Sequence, residues 1–257
     1  RKKNIPIVSC QHGITREIIH DPDIRSITFE TSFSDYFLCF NNMSKSITKN
    51  SKYYSSLNSI KVVGLPIDYQ RVYRENYTKN NICYISTILL SGGKPSFIVP
   101  DSDLDLVKWE CNLIDKVLNA LTFKVDFKPY PAIRYSDPDI TLKKATESSN
   151  IKIVGTHKDL RYILNNYKLL ITSGATSTLG WCVKSNIPLV FINRKGSLSI
   201  KTSLKNDFKK AFFLFDDKDL NWEESVKFFL QQPYNEIVQL WMKKHNERIK
   251  IIEKYFG

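Results

Sequence analysis

The sequence predicts an α/β fold in which Rossmann-like parallel sheets are flanked by helices. Short apolar runs of strand length alternate with amphipathic stretches of helix length, which is typical of parallel sheets built from βαβ units. The chain has 257 residues, of which 42% are hydrophobic and 25% are charged. This is the composition of a globular protein, and the length allows one large domain or two domains of roughly 100–150 residues.

Three apolar runs in the first part of the chain are predicted strands: Ile5–Cys10, Tyr36–Phe40 and Ile60–Gly64. The first run leads into the turn Gln11-His12-Gly13, and the second precedes a polar, helix-like segment at Asn42–Tyr54. The polar segment Tyr69–Asn81 shows no apolar periodicity and is predicted to be a linker.

A second series of strands and helices follows this linker. The predicted strands are Ile82–Thr87, Phe123–Phe127, Ile151–Val154, Lys168–Thr172 and Pro188–Ile192. The predicted helices are Asp103–Leu121, Asp159–Asn165, Leu179–Ser185, Glu223–Leu230 and Tyr234–Tyr255. In the first of these helices, spacings of three and four predict a buried face made of Leu104, Val107, Cys111, Ile114, Val117, Leu118 and Leu121.

The charge and the cysteines exclude several classes of protein. Lys and Arg number 38 against 26 Asp and Glu, a formal charge of +12, but the lysines are scattered and no nucleic-acid-binding motif is present, so we expect no nucleic-acid partner. A basic surface favours anionic ligands such as sugar nucleotides, or an anionic membrane leaflet. The five cysteines contain no CxxC pair, which predicts a reducing compartment and no zinc site.

The most informative stretch is a loop of small and hydroxyl residues between a predicted strand and a predicted helix. Small residues let a ligand approach the backbone, and a helix N-terminus offers free N–H groups and a positive dipole end to an anion. The alternative is a plain helix cap, for which a single hydroxyl would be enough. We therefore predict a phosphate-binding loop formed by Thr172, Ser173, Gly174, Ala175, Thr176, Ser177 and Thr178.

Two further turns follow predicted strands. In Lys128-Pro129-Tyr130-Pro131 the prolines fix an extended turn, which either aims Lys128 and Tyr130 into a cleft or merely ends the strand. His12 follows the first strand and is a candidate general base, although a lone histidine is more often structural. Ser86, Thr87, Thr156 and His157 are expected contacts to a nucleotide base or ribose, with helix capping as the alternative for Thr156 and His157.

These residues resemble the GT-B glycosyltransferases, and most closely the bacterial enzymes of surface polysaccharide and lipopolysaccharide biosynthesis, including capsule. Similar groups are the transferases of sialic-acid-like or Kdo sugars from CMP donors and the CDP-glycerol glycerophosphotransferases. The resemblance implies that Lys128–Pro131 and Thr172–Thr178 hold the donor nucleotide and its phosphates, and that His12 serves the chemistry. Tyr130 stands where such enzymes carry a histidine.

The resemblance also implies a GT-B-like organisation with an incomplete first domain. We expect the C-terminal part of an acceptor-side Rossmann-like domain at 1–72, a nucleotide-sugar domain at 73–230, and a C-terminal helix at 231–257 that packs back on the first domain. The expected partners are a nucleotide-activated donor and a glycan or lipid-linked acceptor. No metal or other cofactor is expected, because the acidic start of the helix at Asp103 is explained by the helix dipole.

The expected location is cytoplasmic, with peripheral association at the inner face of the cytoplasmic membrane as a further expectation. No stretch approaches the ~20 consecutive apolar residues that span a bilayer. Two alternatives to a nucleotide-sugar-dependent glycosyltransferase stay open. One is transfer of a polyol phosphate (glycerol or ribitol) from a CDP-linked donor, and the other is a non-catalytic nucleotide-binding module of a polysaccharide assembly complex.

Overall fold

The computed structural model describes residues 5–20, 27–54, 59–71, 81–88, 90, 101–131 and 139–257. It confirms the predicted class, an α/β fold with parallel sheets flanked by helices. A three-stranded parallel sheet has the order β1-β2-β3. Its elements along the chain are β1 (Val8–Cys10), α1 (Thr28–Thr31), β2 (Tyr36–Cys39), α2 (Asn42–Lys49) and β3 (Ser59–Val62), followed by α3 (Ile67–Arg71).

A second parallel sheet has six strands in the order β6-β5-β4-β7-β8-β9. The strands are β4 (Asn81–Ile85), β5 (Val125–Lys128), β6 (Ile151–Ile153), β7 (Tyr167–Ser173), β8 (Leu189–Asn193) and β9 (Phe213–Asp216). Counted from its own first strand, this sheet has the 3-2-1-4-5-6 order of the doubly wound nucleotide-binding fold. The chain therefore reverses its winding direction between β4 and β7, and this switch point is where ligands bind in such sheets.

The helices of the second part surround this sheet. They are α4 (Asp103–Leu113), which continues into a π-helical turn (Ile114–Leu118), then α5 (Ile140–Glu147), α6 (Leu160–Ile163), α7 (Ser177–Lys184), α8 (Lys205–Ala211), α9 (Trp222–Leu230), α10 (Tyr234–Lys243) and α11 (His245–Tyr255). Asp139 and Asp159 accept backbone N–H groups at the starts of α5 and α6, as N-caps do. Every residue of β8 is buried, as expected for a parallel strand covered on both faces.

The buried face of α4 differs from the predicted one at its start. Leu104 is 60% exposed, whereas Leu106, Glu110 and Leu113 are buried. The predicted positions from Ile114 onward are buried. The π-helical turn accommodates an extra residue, so the first half of the helix is rotated by about one position relative to a continuous α-helix.

The predicted linker is partly structured. Residues Ile67–Arg71 form α3, and Tyr69 in its centre is only 5% exposed. Its burial depends on a partner distant in sequence, which local periodicity cannot reveal. Residues 72–80, and with them the predicted boundary between 72 and 73, lie outside the described residues.

The C-terminal helices pack on the six-stranded sheet. Helices α10 and α11 lie against α8 and β9 at the edge of this sheet, and their packing on the first domain stays a prediction. Trp241 has its ring centroid 5.8 Å from that of Phe213, and the Phe256 ring lies 6.5 Å from Phe208. The aromatic residues of this sheet edge thus supply the apolar surface that covers residues 231–257.

Candidate functional site

Thr172 and Ser173, the first two residues of the predicted phosphate loop, lie at the switch point between β4 and β7. The hydroxyl of Thr172 donates to the carbonyl of Ile85 at 3.1 Å. Thr87 donates to the carbonyl of Ser173, and its Oγ1 lies 3.2 Å from Ser173 Oγ. These bonds tie the carboxyl end of β7 to that of β4. Because Thr172 and Ser173 are fully buried, their direct contact with a ligand stays a prediction.

The second half of the loop is more open. Gly174 has φ +69°, which places it in the left-handed region, and Ala175 is buried. Thr176 is the N-cap residue of α7, yet its hydroxyl oxygen is buried and has no hydrogen-bond partner among the described residues. Ser177 and Thr178 are half-buried and form the first turn of α7. First-turn N–H groups have no acceptor within a helix, so this end of α7 can receive an anion.

Lys128 is a buried cation at the end of β5, which is separated from β7 by β4 in the sheet. Its side chain is 4% exposed, and Nζ lies 3.4 Å from the carbonyl of Thr156 and 3.5 Å from that of Pro129. Within the described part of the chain no carboxylate forms an ion pair with it. Burial lowers the pKa of the ammonium group, and the negative charge of Asp159 opposes this shift only in part.

The remaining predicted contacts lie along the same edge of the sheet. The Ser86 N–H donates to the Lys128 carbonyl at 2.9 Å, so these two residues are adjacent. Thr156 is exposed and reaches Lys128 through its carbonyl. Tyr130 is half-buried and His157 is exposed, and the structure shows no contact of either side chain with the loop.

The His12 turn faces α7 from the first sheet. Gly13 has φ +79°, and a Cβ atom at this position would lie only 2.9 Å from Ser177 Cβ. The turn therefore abuts the first residue of α7, and only glycine fits there. The His12 side chain is exposed at this junction. The turn that carries His12 thus lies beside the start of α7, and a site shared by His12 and the loop stays a prediction.

A loop missed by the sequence analysis joins the two sheets. Residues 194–204 follow β8, and within this loop Ile200 forms an antiparallel bridge with Ile19. The His20 N–H donates to Ser199 O at 2.9 Å, and the Lys201 N–H donates to Ile18 O at 2.9 Å. Leu198 O accepts the N–H of Ala175 at 2.7 Å. The loop therefore contacts both the first unit and the predicted phosphate loop.

Two buried charged groups near this edge were also missed. Arg194 is paired with Asp101 at 3.4 Å, and Asp101 accepts the Ser197 hydroxyl at 2.9 Å, which fixes the loop after β8. Arg194 could have been noticed, because it directly follows a predicted strand at its carboxyl end.

The second group is Glu110 of α4. It accepts the Tyr84 hydroxyl at 2.8 Å below the switch point, and burial raises the pKa of its carboxyl.

Two further properties of the described ranges bear on the predictions. No three His, Cys, Asp or Glu side chains there cluster in a way that could hold a metal ion, and metal independence stays a prediction. None of the helices in these ranges combines the length and apolar character needed to cross a membrane.

Comparison with known proteins gives similarity of structure alone. No protein-family profile and no curated protein sequence matches the chain. Solved structures with a similar fold include MurG of Acinetobacter baumannii (10% identity, TM-score 0.44), WaaG, a glycosyltransferase involved in lipopolysaccharide biosynthesis (10%, 0.46), and a GtfA/B complex (14%, 0.44). The matches cover 86%, 84% and 96% of this chain but only 65%, 58% and 52% of those chains.

Proposed function

We propose that the protein is a glycosyltransferase that moves a sugar from a nucleotide-activated donor to a glycan or lipid-linked acceptor. The observation that carries this proposal is the position of the loop 172–178. It lies at the switch point of a 3-2-1-4-5-6 sheet and faces the His12 turn of a second parallel sheet. A nucleotide site in one unit and a candidate base in the other are the parts that transfer to an acceptor hydroxyl needs.

The donor phosphates would bind at the start of α7. The hydroxyls of Ser177 and Thr178 would donate to the phosphate oxygens, and the N–H groups of the same residues and the positive end of the helix dipole favour an anion there. The unpartnered Thr176 hydroxyl is a further donor. Lys128, a buried cation that forms no ion pair with the described carboxylates, would stabilise the negative charge on the leaving nucleotide. Under this proposal no metal ion is required.

His12 would act as the general base. Its exposed imidazole takes the proton of the acceptor hydroxyl, the acceptor oxygen forms a bond to the anomeric carbon, and the bond from that carbon to the phosphate oxygen of the donor breaks. The nucleotide leaves with the electron pair of the broken bond. General-base catalysis of this kind contributes about 10²–10⁴-fold to a rate.

We further propose a CMP-linked donor carrying Kdo or a sialic-acid-like sugar, and action in surface polysaccharide assembly at the cytoplasmic face of the membrane. Both statements depend on the resemblance of the Lys128–Pro131 and Thr172–Thr178 motifs. A CDP-linked polyol phosphate is the competing donor, and the identity of the released nucleotide separates the two.

The test begins with thermal-shift measurements against CMP, CDP and UDP, followed by assays of nucleotide release from the corresponding donors. We expect one nucleotide to raise the melting temperature, and Ser177→Ala with Thr178→Ala to weaken its binding at least tenfold. The matched control is Thr202→Ala with Ser203→Ala, the same substitutions at exposed positions. We also expect His12→Ala to reduce the transfer rate at least 100-fold while nucleotide binding is retained.

Three results would contradict the proposal. The absence of a shift with any nucleotide would remove the donor site, and unchanged binding in the double variant would remove the loop assignment. Nucleotide binding without turnover of any donor would leave the non-catalytic module as the remaining function.

A further inference from the structure

The backbone of the His12 turn is held by a carboxylate from another element. Glu30 Oε1 accepts the His12 N–H at 2.9 Å. Glu30 belongs to α1, and its own carbonyl accepts the hydroxyls of Ser9 in β1 and, at 3.3 Å, of Ser34. The short helix α1 is therefore fixed beside β1, and its carboxylate reaches the turn that follows this strand.

The other oxygen of the same carboxylate is fixed by a buried arginine. Glu30 Oε2 is paired with Nη2 of Arg16, a residue that is 2% exposed. Arg16 Nη1 donates to the Thr48 hydroxyl of α2 at 2.8 Å, and its guanidinium lies 4.7 Å from the ring centroid of Phe37. The carboxylate is thus held between the turn and a guanidinium that is anchored on two further elements.

The opposite end of the turn is held as well. Gln11 Nε2 donates to Gly13 O at 2.9 Å, and Gln11 Oε1 accepts the N–H of Phe40 at 3.1 Å. The His12 N–H and the Gly13 carbonyl are therefore both bonded to side chains of other positions, while His12 itself is exposed and interacts electrostatically with the Glu30 carboxylate.

We propose that Glu30 is the positioning residue for His12, an inference that rests on the proposed function. A buried ion pair by itself is weak evidence for stability, because an apolar pair often replaces it without loss. The Glu30 carboxylate accepts the backbone N–H of His12 and pairs with the anchored Arg16 guanidinium, so it fixes the position of the turn. A displacement of a reacting group by about 1 Å can cost on the order of 100-fold in rate, so the hydrogen bond to His12 matters for transfer more than for folding.

The test compares two variants that differ only in the acceptor offered to the His12 N–H. Arg16→Met with Glu30→Gln removes both charges and retains a carbonyl oxygen at position 30. Arg16→Met with Glu30→Met removes both charges and the acceptor, at nearly the same side-chain size. Both variants remove the Coulombic interaction of Arg16 with the buried Glu17 carboxylate to the same extent, so this loss cancels in the comparison. The readouts are kcat and KM with the CMP-, CDP- or UDP-linked donor that the wild type turns over, and amide hydrogen exchange at His12.

We expect the Gln variant to keep kcat within about threefold of the wild type and the Met variant to lose about 10- to 100-fold, with donor KM unchanged in both. Exchange of the His12 amide should be at least tenfold faster in the Met variant than in the Gln variant. In a His12→Ala background the difference in kcat between the two variants should vanish, because residues that act through one group are not additive.

Equal kcat in the two variants, or a difference that persists without His12, would overturn the inference. Equal amide exchange would overturn it as well, and this measurement needs no substrate. Absence of turnover by the wild type with every donor would instead refute the proposed function, while the exchange measurement would still report whether Glu30 holds the turn.

Discussion

Tyr69 and Trp181 stack face to face, with ring centroids 3.7 Å apart and an angle of 6° between the ring planes. This stack joins α3 to α7, the helix whose start carries the predicted phosphate site. Arg161 lies over the same indole at 5.6 Å and pairs with Asp68 of α3 at 2.8 Å. The position of α7 is therefore set from the first unit as well as from its own sheet.

The first prediction concerns the pH dependence of stability at Tyr69. Burial raises the pKa of its hydroxyl from 10.0 to about 12, so the unfolded chain loses this proton at lower pH than the folded protein. The stability due to neutral Tyr69 is complete below pH 10 and is lost as the pH rises toward 12, by about 1.4 kcal/mol per unit at most. Tyr69→Phe should remove this part of the alkaline loss, as urea unfolding at pH 9, 10 and 11 would measure. Parallel pH curves for the two proteins would contradict the prediction.

The second prediction concerns the contact between the His12 turn and α7. Gly13→Ala should reduce the free energy of unfolding by about 2–5 kcal/mol, because a left-handed conformation costs roughly 1–2 kcal/mol for alanine and overpacking against Ser177 adds roughly 1–3 kcal/mol. Gly64→Ala is the matched control, since Gly64 has φ +83° but no atom of the described residues lies within 4 Å of the added Cβ. Gly64→Ala should lose only the roughly 1–2 kcal/mol of unfolding free energy that the left-handed conformation costs. Equal losses in the two variants by denaturant unfolding would mean that the turn does not press on Ser177.

The third prediction separates the ligand contacts of Lys128 from its contribution to folding. Lys128→Met should weaken binding of the nucleotide that gives the largest thermal shift by about 10- to 100-fold, the equivalent of one charge-assisted hydrogen bond. The unliganded protein should not lose stability, because burial disfavours the Lys128 cation more than its Coulombic interaction with Asp159 favours it. Lys124→Met, at an exposed position just before the same strand, is the control for the loss of one positive charge. Equal nucleotide affinities of the two variants by calorimetry would exclude Lys128 from the site.

The fourth prediction concerns Glu110 below the switch point. Burial raises the pKa of this carboxyl above 4.5, so the unfolded chain releases the proton first as the pH rises. Stability is complete below about pH 4.5 and falls as the pH increases through the folded-state pKa. Compared with Glu110→Gln, the wild type should therefore become progressively less stable as the pH rises above 4.5. A difference in unfolding free energy that is constant over this range would contradict the prediction.

The strands and the hydroxyl loop could be predicted because their signals are local. The apolar runs that became β7 and β8 are buried on both faces, so composition alone marks them. The Thr172–Thr178 loop combines small residues and hydroxyls between a strand and a helix. The strand β9 (Phe213–Asp216) was missed although its run of aromatic and apolar residues resembles the others.

The rest depends on contacts between residues distant in sequence. Tyr69 sits in a polar segment, and its burial is due to Trp181, more than 100 positions away. In the sequence nothing distinguishes Glu30 from an exposed acidic residue, because its hydrogen bond to the His12 N–H forms only in the folded chain. The same holds for the packing of Trp241, because the sequence does not state which sheet edge offers an aromatic surface.

The junction of residues 18–20 with residues 199–201 restricts how the molecule can move. The His20–Ser199 and Lys201–Ile18 hydrogen bonds join backbone to backbone. Both bonds must break before these two segments can separate, whereas contacts between side chains alone would allow them to slide. We therefore expect residues 18–20 and 199–201 to keep their relative position while a ligand enters or leaves.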